Sequence, residues 1–269
     1  MIEFEIVARG LYRPEQLVID YDPALRMPIT EKLQAWMDDL WEQKLAVARE
    51  QGTLLFDAPI FRFVSASSRS DDRLHLVLGD TCYKQYVVSR ASSFAQGRDR
   101  QELGNALAVC SVIETSDGYI LLEKRQGVDV YEGRYHVIGG FFELNRDMTT
   151  QQPDPFGAMR REIREETGIQ VADIAEEYCL GAVYDLAMPH GELCFFTRLH
   201  ISCEEVFTRE PEDSEVKQLL TLRVSAESLR DLLVQHHDNI SVTGEANLLL
   251  YGGWKYGEAW FDEVTKSIG

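Results

Sequence analysis

The sequence predicts an α+β protein, and three observations carry that prediction. Short stretches of strand length are rich in β-branched and aromatic residues, as in "IEFEIVAR", "RLHLVLG" and "ALAVCSVIET". Two other stretches, "EKLQAWMDDLWEQKLAVAREQG" and "PFGAMRREIREET", place their apolar residues at helical spacing instead. Turn signals separate them, above all Ser116-Asp117-Gly118 between two apolar runs. At 269 residues the chain can bury one large core or two smaller ones.

In chain order, "IEFEIVAR" and "QLVIDYD" read as strands, and Thr30 as the N-cap of a helix that Gly52 ends. Leu33, Trp36, Met37, Leu40 and Trp41 form the apolar stripe of that helix, which reads as core packing rather than a ligand platform. "PIFRFVSA" and "RLHLVLG" follow across the polar turn "SSRSDD". The polar segment 89–105, "SRASSFAQGRDRQELGN", reads as a boundary between an N-terminal α+β region, 1–100, and a second domain, 104–269. After it come a hairpin around Asp117-Gly118, then "RYHVIGGFFE", a strand interrupted by Gly139 and Gly140. Asp154-Pro155 is an N-cap and N1 pair, and Gly168 sits where the same helix should end. "EYCLGAVYDLA" and "LCFFTRLHIS" form another hairpin; the strand-like "LLTLRV", the amphipathic "AESLRDLLVQHH" and a helical C-terminus complete the chain.

Composition narrows the function. The net charge of −18 argues against a general nucleic-acid or anionic-membrane partner. The apolar run Leu107 to Ile113 is far shorter than a membrane span, and Glu3 and Glu5 stand where a secretory signal would be basic. Five cysteines without a CxxC pair fit reduced thiols in a cytoplasm. Cys110, Cys194 and Cys203 fall in strand patterns and read as buried packing.

One helix carries the chemistry. Phe156, Met159 and Ile163 share a face that would bury against the sheet, while Glu162, Glu165 and Glu166 crowd an adjoining arc beside Arg161. Like charges this close repel by a few tenths of a kcal/mol (~0.2–0.5) per pair. A solvated acidic face is the common fate of such a run. Here a Gly-Gly strand end precedes it, and glycines let backbone approach a ligand or metal closely. Carboxylates beside an exposed glycine carbonyl are a way to hold Mg²⁺ against a phosphate.

These residues resemble the box of the Nudix hydrolase family, G-x5-E-x7-R-E-U-x-E-E-x-G-U with U aliphatic. "REIREETGI" matches its second half through Arg161, Glu162, Ile163, Glu165, Glu166, Gly168 and Ile169. The resemblance covers about residues 104–225 and implies a Nudix-type α/β/α sandwich with a mixed sheet, preceded by the small N-terminal α+β region. It implies metal-dependent hydrolysis of a nucleoside diphosphate linked to another moiety. Glu162, Glu165 and Glu166 would be metal ligands, joined by the Gly140 carbonyl, with Mg²⁺ or Mn²⁺ as cofactor. Arg161 would orient a box glutamate. The general base would be a box glutamate or a loop carboxylate, for which Glu212 and Glu215 are the candidates. Arg125 and Arg134 flank the presumed substrate loop and would bind phosphate or form salt bridges. His136 reads as structural and His236-His237 as surface.

The first half of the box departs from the pattern. The arginine follows Gly140 by twenty-one positions rather than fourteen, and Arg146 stands where the first box glutamate belongs. Asp147 or Glu143 is the substitute expected there, unless the position is dispensable. The surrounding segments are similar to the branch that cleaves UDP-sugars, with ADP-ribose, other nucleotide sugars or a dinucleotide open. A Nudix-fold nucleotide sensor without turnover is the alternative; an isomerase on this fold would need a positioned cysteine, and none is evident. The N-terminal region is expected to cover the substrate pocket or to form a homodimer contact.

Overall fold

The computed structural model describes residues 1–51, 55–68, 71–126, 130–150, 152–212 and 218–269. Its N-terminal elements are β1 (Phe4–Tyr12), β2 (Leu17–Tyr21), α1 (Glu31–Gln51), β3 (Pro59–Ser68), β4 (Leu74–Cys82), α2 (Tyr83–Ser89) and α3 (Ser92–Ala95). Strand β4 lies between β2, its parallel neighbour, and β3, its antiparallel one, in a three-stranded sheet. The Thr30 hydroxyl caps α1 by accepting from the Leu33 N–H at 3.2 Å. Met37 and Trp41 are buried with Tyr86, Val88 and Phe94, so the tryptophan stripe is core. Helices α2 and α3 were not evident in the sequence because seven and four residues span too little periodicity to register. Part of the polar segment 89–105 is thus ordered over a buried Phe94.

The second part supplies β5 (Leu107–Glu114), β6 (Tyr119–Lys124), β7 (Tyr135–His136), β8 (Ile138–Phe141), α4 (Pro155–Thr167), β9 (Ile174–Asp185), β10 (His190–Leu199), α5 (Cys203–Val206), β11 (Leu219–Arg223), α6 (Ala226–Gln235), α7 (Val242–Tyr256) and α8 (Glu258–Ile268). The large sheet runs β1-β9-β10-β5-β6-β11, with β7 against β6 and β8 against β5. The parallel β10–β5 pair makes it mixed. The Asp-Gly turn forms, with Gly118 at φ +82, yet β5 and β6 share only the Glu114–Ile120 register pair. They diverge because β5 is taken up by β8 and β10 on its two sides. "RYHVIGGFFE" is split at Val137 for the same reason: β7 joins β6 and β8 joins β5.

Two layers cover the sheet. On one face Phe156, Met159 and Ile163 of α4 pack with Leu107, Val109, Leu193 and Phe195, and the small sheet adds Phe61, Phe63 and Leu76. On the other face α7 is buried along nearly its whole length against Cys110, Val112, Cys194 and Phe196. This is the α+β sandwich with a mixed sheet that was expected. Cys203 departs from the expectation: it opens the short helix α5 and is only partly buried. His237 is half-buried, with Nδ1 2.5 Å from Glu245 Oε1, while His236 is exposed. No helix among the described residues is long and apolar enough to cross a membrane.

Strand β1 comes from the N-terminal hundred residues but is an edge of the large sheet, antiparallel to β9. Close approach there depends on Gly181, at φ +139, where a Cβ would stand 2.0 Å from the Ala8 carbonyl oxygen. Gly181→Ala should therefore lower unfolding free energy by about 2–4 kcal/mol, through both strain and collision. Gly118→Ala, where φ is also positive but nothing lies within 4 Å, should cost only about 1 kcal/mol. Urea denaturation of the two variants checks the ranking; equal losses would mean that Ala8 moves aside.

Candidate functional site

Helix α4 begins as its sequence dictates. The Asp154 carboxylate accepts from the Gly157 N–H at 2.9 Å, Pro155 occupies the first turn, and Gly168 closes the helix at φ +73. With its apolar face buried, the helix turns Arg161, Glu162, Glu165 and Glu166 toward β8 and the loop after it. A Cβ on Gly140 would lie 2.6 Å from the Glu162 carboxyl carbon, so only glycine lets that carboxylate rest against the strand. The Gly139 N–H donates to Glu166 Oε2 at 3.2 Å.

Arg161 joins these pieces. Its Nε and Nη2 donate to the two oxygens of Asp147 at 2.8 and 2.7 Å, and Nη2 also reaches the Phe141 carbonyl at 3.1 Å. Nη1 donates to Glu162 Oε1 at 2.7 Å and to Glu165 Oε2 at 3.2 Å. The guanidinium is 8% exposed and Asp147 5%, so this is a buried charge cluster. Burial works against the guanidinium charge, but Asp147 and Glu162 outweigh it and hold its pKa above the ordinary arginine value.

Other arginines share the work. Arg146 pairs with Glu165 and with Glu143, the latter at 3.4 Å. Arg164 lies 3.7 Å from Glu165 and 2.9 Å from Glu212. Repulsion among the α4 glutamates is thus offset here by cations of the chain itself. The two residues considered for the first box glutamate have different partners. Asp147 chelates Arg161, and Glu143 pairs with Arg146 while its own N–H donates to Asp147 Oδ2 at 2.7 Å.

Of the residues singled out in the sequence, Gly140, Arg161, Glu162, Glu165 and Glu166 come together. Glu212 stands at the rim, its N–H donating to the Glu165 carbonyl at 2.9 Å. Glu215 lies outside the described residues. Arg125 is engaged elsewhere, with Glu123 at 3.3 Å and the Val130 carbonyl at 2.9 Å. Arg134 reaches the Ile240 carbonyl at 3.4 Å and lies over the Tyr131 ring. The carboxylates and the Gly140 carbonyl are hard oxygen donors of the kind Mg²⁺ or Mn²⁺ takes. As the side chains stand, no group of three or more His, Cys, Asp and Glu residues among those described is arranged to hold a metal. Glu165, turned to its arginines, is the ligand that would have to exchange partners.

A second charged cluster escaped sequence reading. His190 and Glu192 begin β10, and in register Glu192 sits beside Ala108, which sits beside Phe141. His190 Nε2 is 3.4 Å from Glu192 Oε2, and the Tyr131 hydroxyl donates to Asp185 Oδ2 at 2.8 Å. His136 joins through Ser241 at 2.6 Å and faces Glu192 at 3.9 Å. Burial alone would lower the His190 pKa, but Tyr86, Glu192 and Asp185 outweigh it and hold it up at about 10. Burial would raise Glu192, yet the two histidines bring it down to about 2. Burial, then the charge of Arg125, push His136 down to about 3. The only sequence signal was the placement of "HGE" at the head of an otherwise apolar strand.

No protein-family model matches the chain, and no curated protein matches its sequence. Solved structures similar to it include a bifunctional NMN adenylyltransferase/ADP-ribose pyrophosphatase from Francisella tularensis complexed with AMP and manganese. That likeness has 13% identity and a TM-score of 0.42, over 64% of this chain and 46% of that one. The match therefore spans less than half the length of that protein. The chain is also similar to the NUDIX domain of Shewanella oneidensis NrtR complexed with ADP-ribose, at 14% identity and a TM-score of 0.41, over 61% and 97%. A MutT protein from Methanosarcina mazei Go1 matches at 15% identity and 0.37, over 57% and 96%.

Two expectations follow from these geometries. Asp147→Asn leaves the buried Arg161 half-paired and should cost about 3–5 kcal/mol, read from urea denaturation. The second concerns pH. The raised His190 supports the fold fully below pH 6.5 and loses that support as pH climbs toward 10. The lowered His136 supports it above pH 6.5 and loses that support toward pH 3, with Glu192 adding its own loss between 4.5 and 2. Stability should therefore peak near pH 6.5. Denaturation at pH 5.5, 6.5 and 9 tests this, and a flat line from 6.5 to 9 would show that His190 is not charged in the folded protein.

Proposed function

We propose that the chain is a Nudix hydrolase that cleaves the diphosphate bridge of a nucleoside diphosphate derivative, a nucleotide sugar such as a UDP-sugar or ADP-ribose, by metal-assisted attack of water. The observation that carries this reading is the Arg161 cluster. One buried guanidinium ties the glutamate-bearing helix to the Gly-Gly strand, so the motif "REIREETGI" is assembled in space and not only in sequence.

Glu162, Glu165 and Glu166 with the Gly140 carbonyl would hold Mg²⁺ or Mn²⁺, which when bound would neutralise diphosphate charge and make an attacking water acidic. The chain's own residues have defined tasks. Asp147 fixes the plane of Arg161, and Arg161 orients Glu162 and Glu165. Gly140 admits the Glu162 carboxylate against the backbone. Arg146 and Arg164 are 44% and 38% exposed in their side chains, so their pairs with Glu165 contribute only about 0–1 kcal/mol and can give way to another cation. Glu212 at the rim is the described candidate for the general base, beside Glu215 and a box glutamate. Substrate contact by Arg125 and Arg134 has the weaker support, since both are engaged away from α4.

Residues 1–100 are proposed to cover the pocket or to form a homodimer contact. In favour of a cover, the Phe61 N–H donates to the Phe142 carbonyl and the Leu144 N–H to the Pro59 carbonyl, at 2.9 and 3.1 Å. The small sheet is thereby tied to the loop beside the carboxylates. The five free cysteines fit the proposed cytoplasmic setting. A nucleotide sensor without turnover is the second reading, favoured by the attachment of Glu165 to three arginines in place of an open ligand position.

A release assay separates the two. UDP-glucose, UDP-galactose, ADP-ribose and a dinucleotide are incubated with Mg²⁺ or Mn²⁺ and either wild type or Glu166→Gln. Metal-dependent release of nucleoside monophosphate, falling about a hundredfold or more in the variant, is expected. Absence of release from every compound, with Mn²⁺ binding that survives the substitution, would sink the catalytic assignment.

A further inference from the structure

A cleft of about 480 Å³ opens between the 90–103 segment and the turn joining β9 to β10. In a chain with 45 acidic and 27 basic residues, its described lining includes Arg90, Arg98 and Arg100 and no acidic side chain. All three guanidiniums lie on aromatic rings. Arg100 is 3.6 Å from the centroid of Tyr184, Arg98 4.0 Å from that of Phe94, and Arg90 4.7 Å from that of Tyr86. At Arg98 and Arg100 stacking fixes the plane of the guanidinium and directs its N–H edge outward, the geometry that takes a phosphate with two parallel hydrogen bonds. Arg98 and Arg100 also pair with Glu102 and Glu5, at 3.0 and 2.5 Å, but those carboxylates are 42% and 49% exposed. Such pairs yield readily to a ligand anion. Leu103, Leu186 and Pro189 give the cleft an apolar wall.

We infer that this cleft binds a nucleotide, its phosphate on Arg98 and Arg100 and its base against the apolar wall. The volume falls within the range of small-ligand sites, and a lone phosphate would leave most of it to water. The site is distinct from the α4 carboxylates and does not depend on their chemistry. It is nonetheless physically joined to them. Arg90 donates to the Tyr86 hydroxyl at 3.0 Å, the Tyr86 ring meets Phe141 edge-on at 5.5 Å, and the Phe141 carbonyl accepts from Arg161.

The test is calorimetric titration of AMP and, separately, of inorganic phosphate into the full chain, with EDTA present so that the α4 glutamates repel phosphate. AMP should bind, and more tightly than phosphate. Arg98→Gln and Arg100→Gln should each weaken it about tenfold, the effect of one charge-assisted hydrogen bond. Circular dichroism of each variant guards against misfolding. No AMP binding at millimolar concentration, AMP binding no tighter than phosphate, or unchanged affinity in both folded arginine variants would each overturn the inference.

Discussion

The buried guanidinium of Arg161 is the constraint on which the candidate site rests. A charge removed from water is tolerated only when hydrogen bonds and counter-charges surround it. Here a helix supplies two carboxylates, a strand end supplies a carbonyl, and the loop between them supplies Asp147. Those three segments are consecutive in the chain, so satisfying one side chain also fixes how strand, loop and helix sit together. The loop is long, yet its residue 147 has one position from which both oxygens can reach the guanidinium. The positions of Glu162 and Glu165 are consequences of the same requirement.

How much of this was legible depends on the range of the interaction. The N-cap Asp154, the closing Gly168 and the buried Phe156, Met159 and Ile163 are local features, and local patterning showed them. The Gly139-Gly140 break was readable as a place of close approach to the backbone, and the group that rests there is the Glu162 carboxylate. What periodicity could not show was partnership. Either Asp147 or Glu143 could have answered for the missing box glutamate, and only the fold brings Asp147 bidentate to Arg161 and Glu143 to Arg146. Similarly, "ALAVCSVIETSDGYILLEK" has every mark of a hairpin, but the competition of β8 and β10 for β5 pulls the two strands apart beyond the turn.

The most opaque part was the polar core behind the sheet. Asp185, His190 and Glu192 belong to one hairpin while His136 comes from a strand far earlier in the sequence, and each alone looks like an ordinary exception on a strand. Together they hold a buried ion pair and a neutral imidazole a few ångströms apart. The two histidines that face one glutamate are displaced in opposite directions: burial, then the charge of Arg125, lowers His136, while at His190 Tyr86, Glu192 and Asp185 outweigh burial.

The pairing of β1 with β9 has a consequence for the birth of the chain. Residues 4–12 leave the ribosome well before their partner at 174–185, which is made more than 150 residues later. At synthesis rates of about 5–20 residues per second, β1 waits on the order of ten seconds with its hydrogen-bonding edge exposed. Its two breaks in register, between Ile6 and Ala8 and between Arg9 and Tyr12, and the charges of Glu5 and Arg9 are features that discourage a waiting edge from joining another chain. The β1–β9 pair can close only after residue 185 has been made, so a strand synthesised early finds its place late.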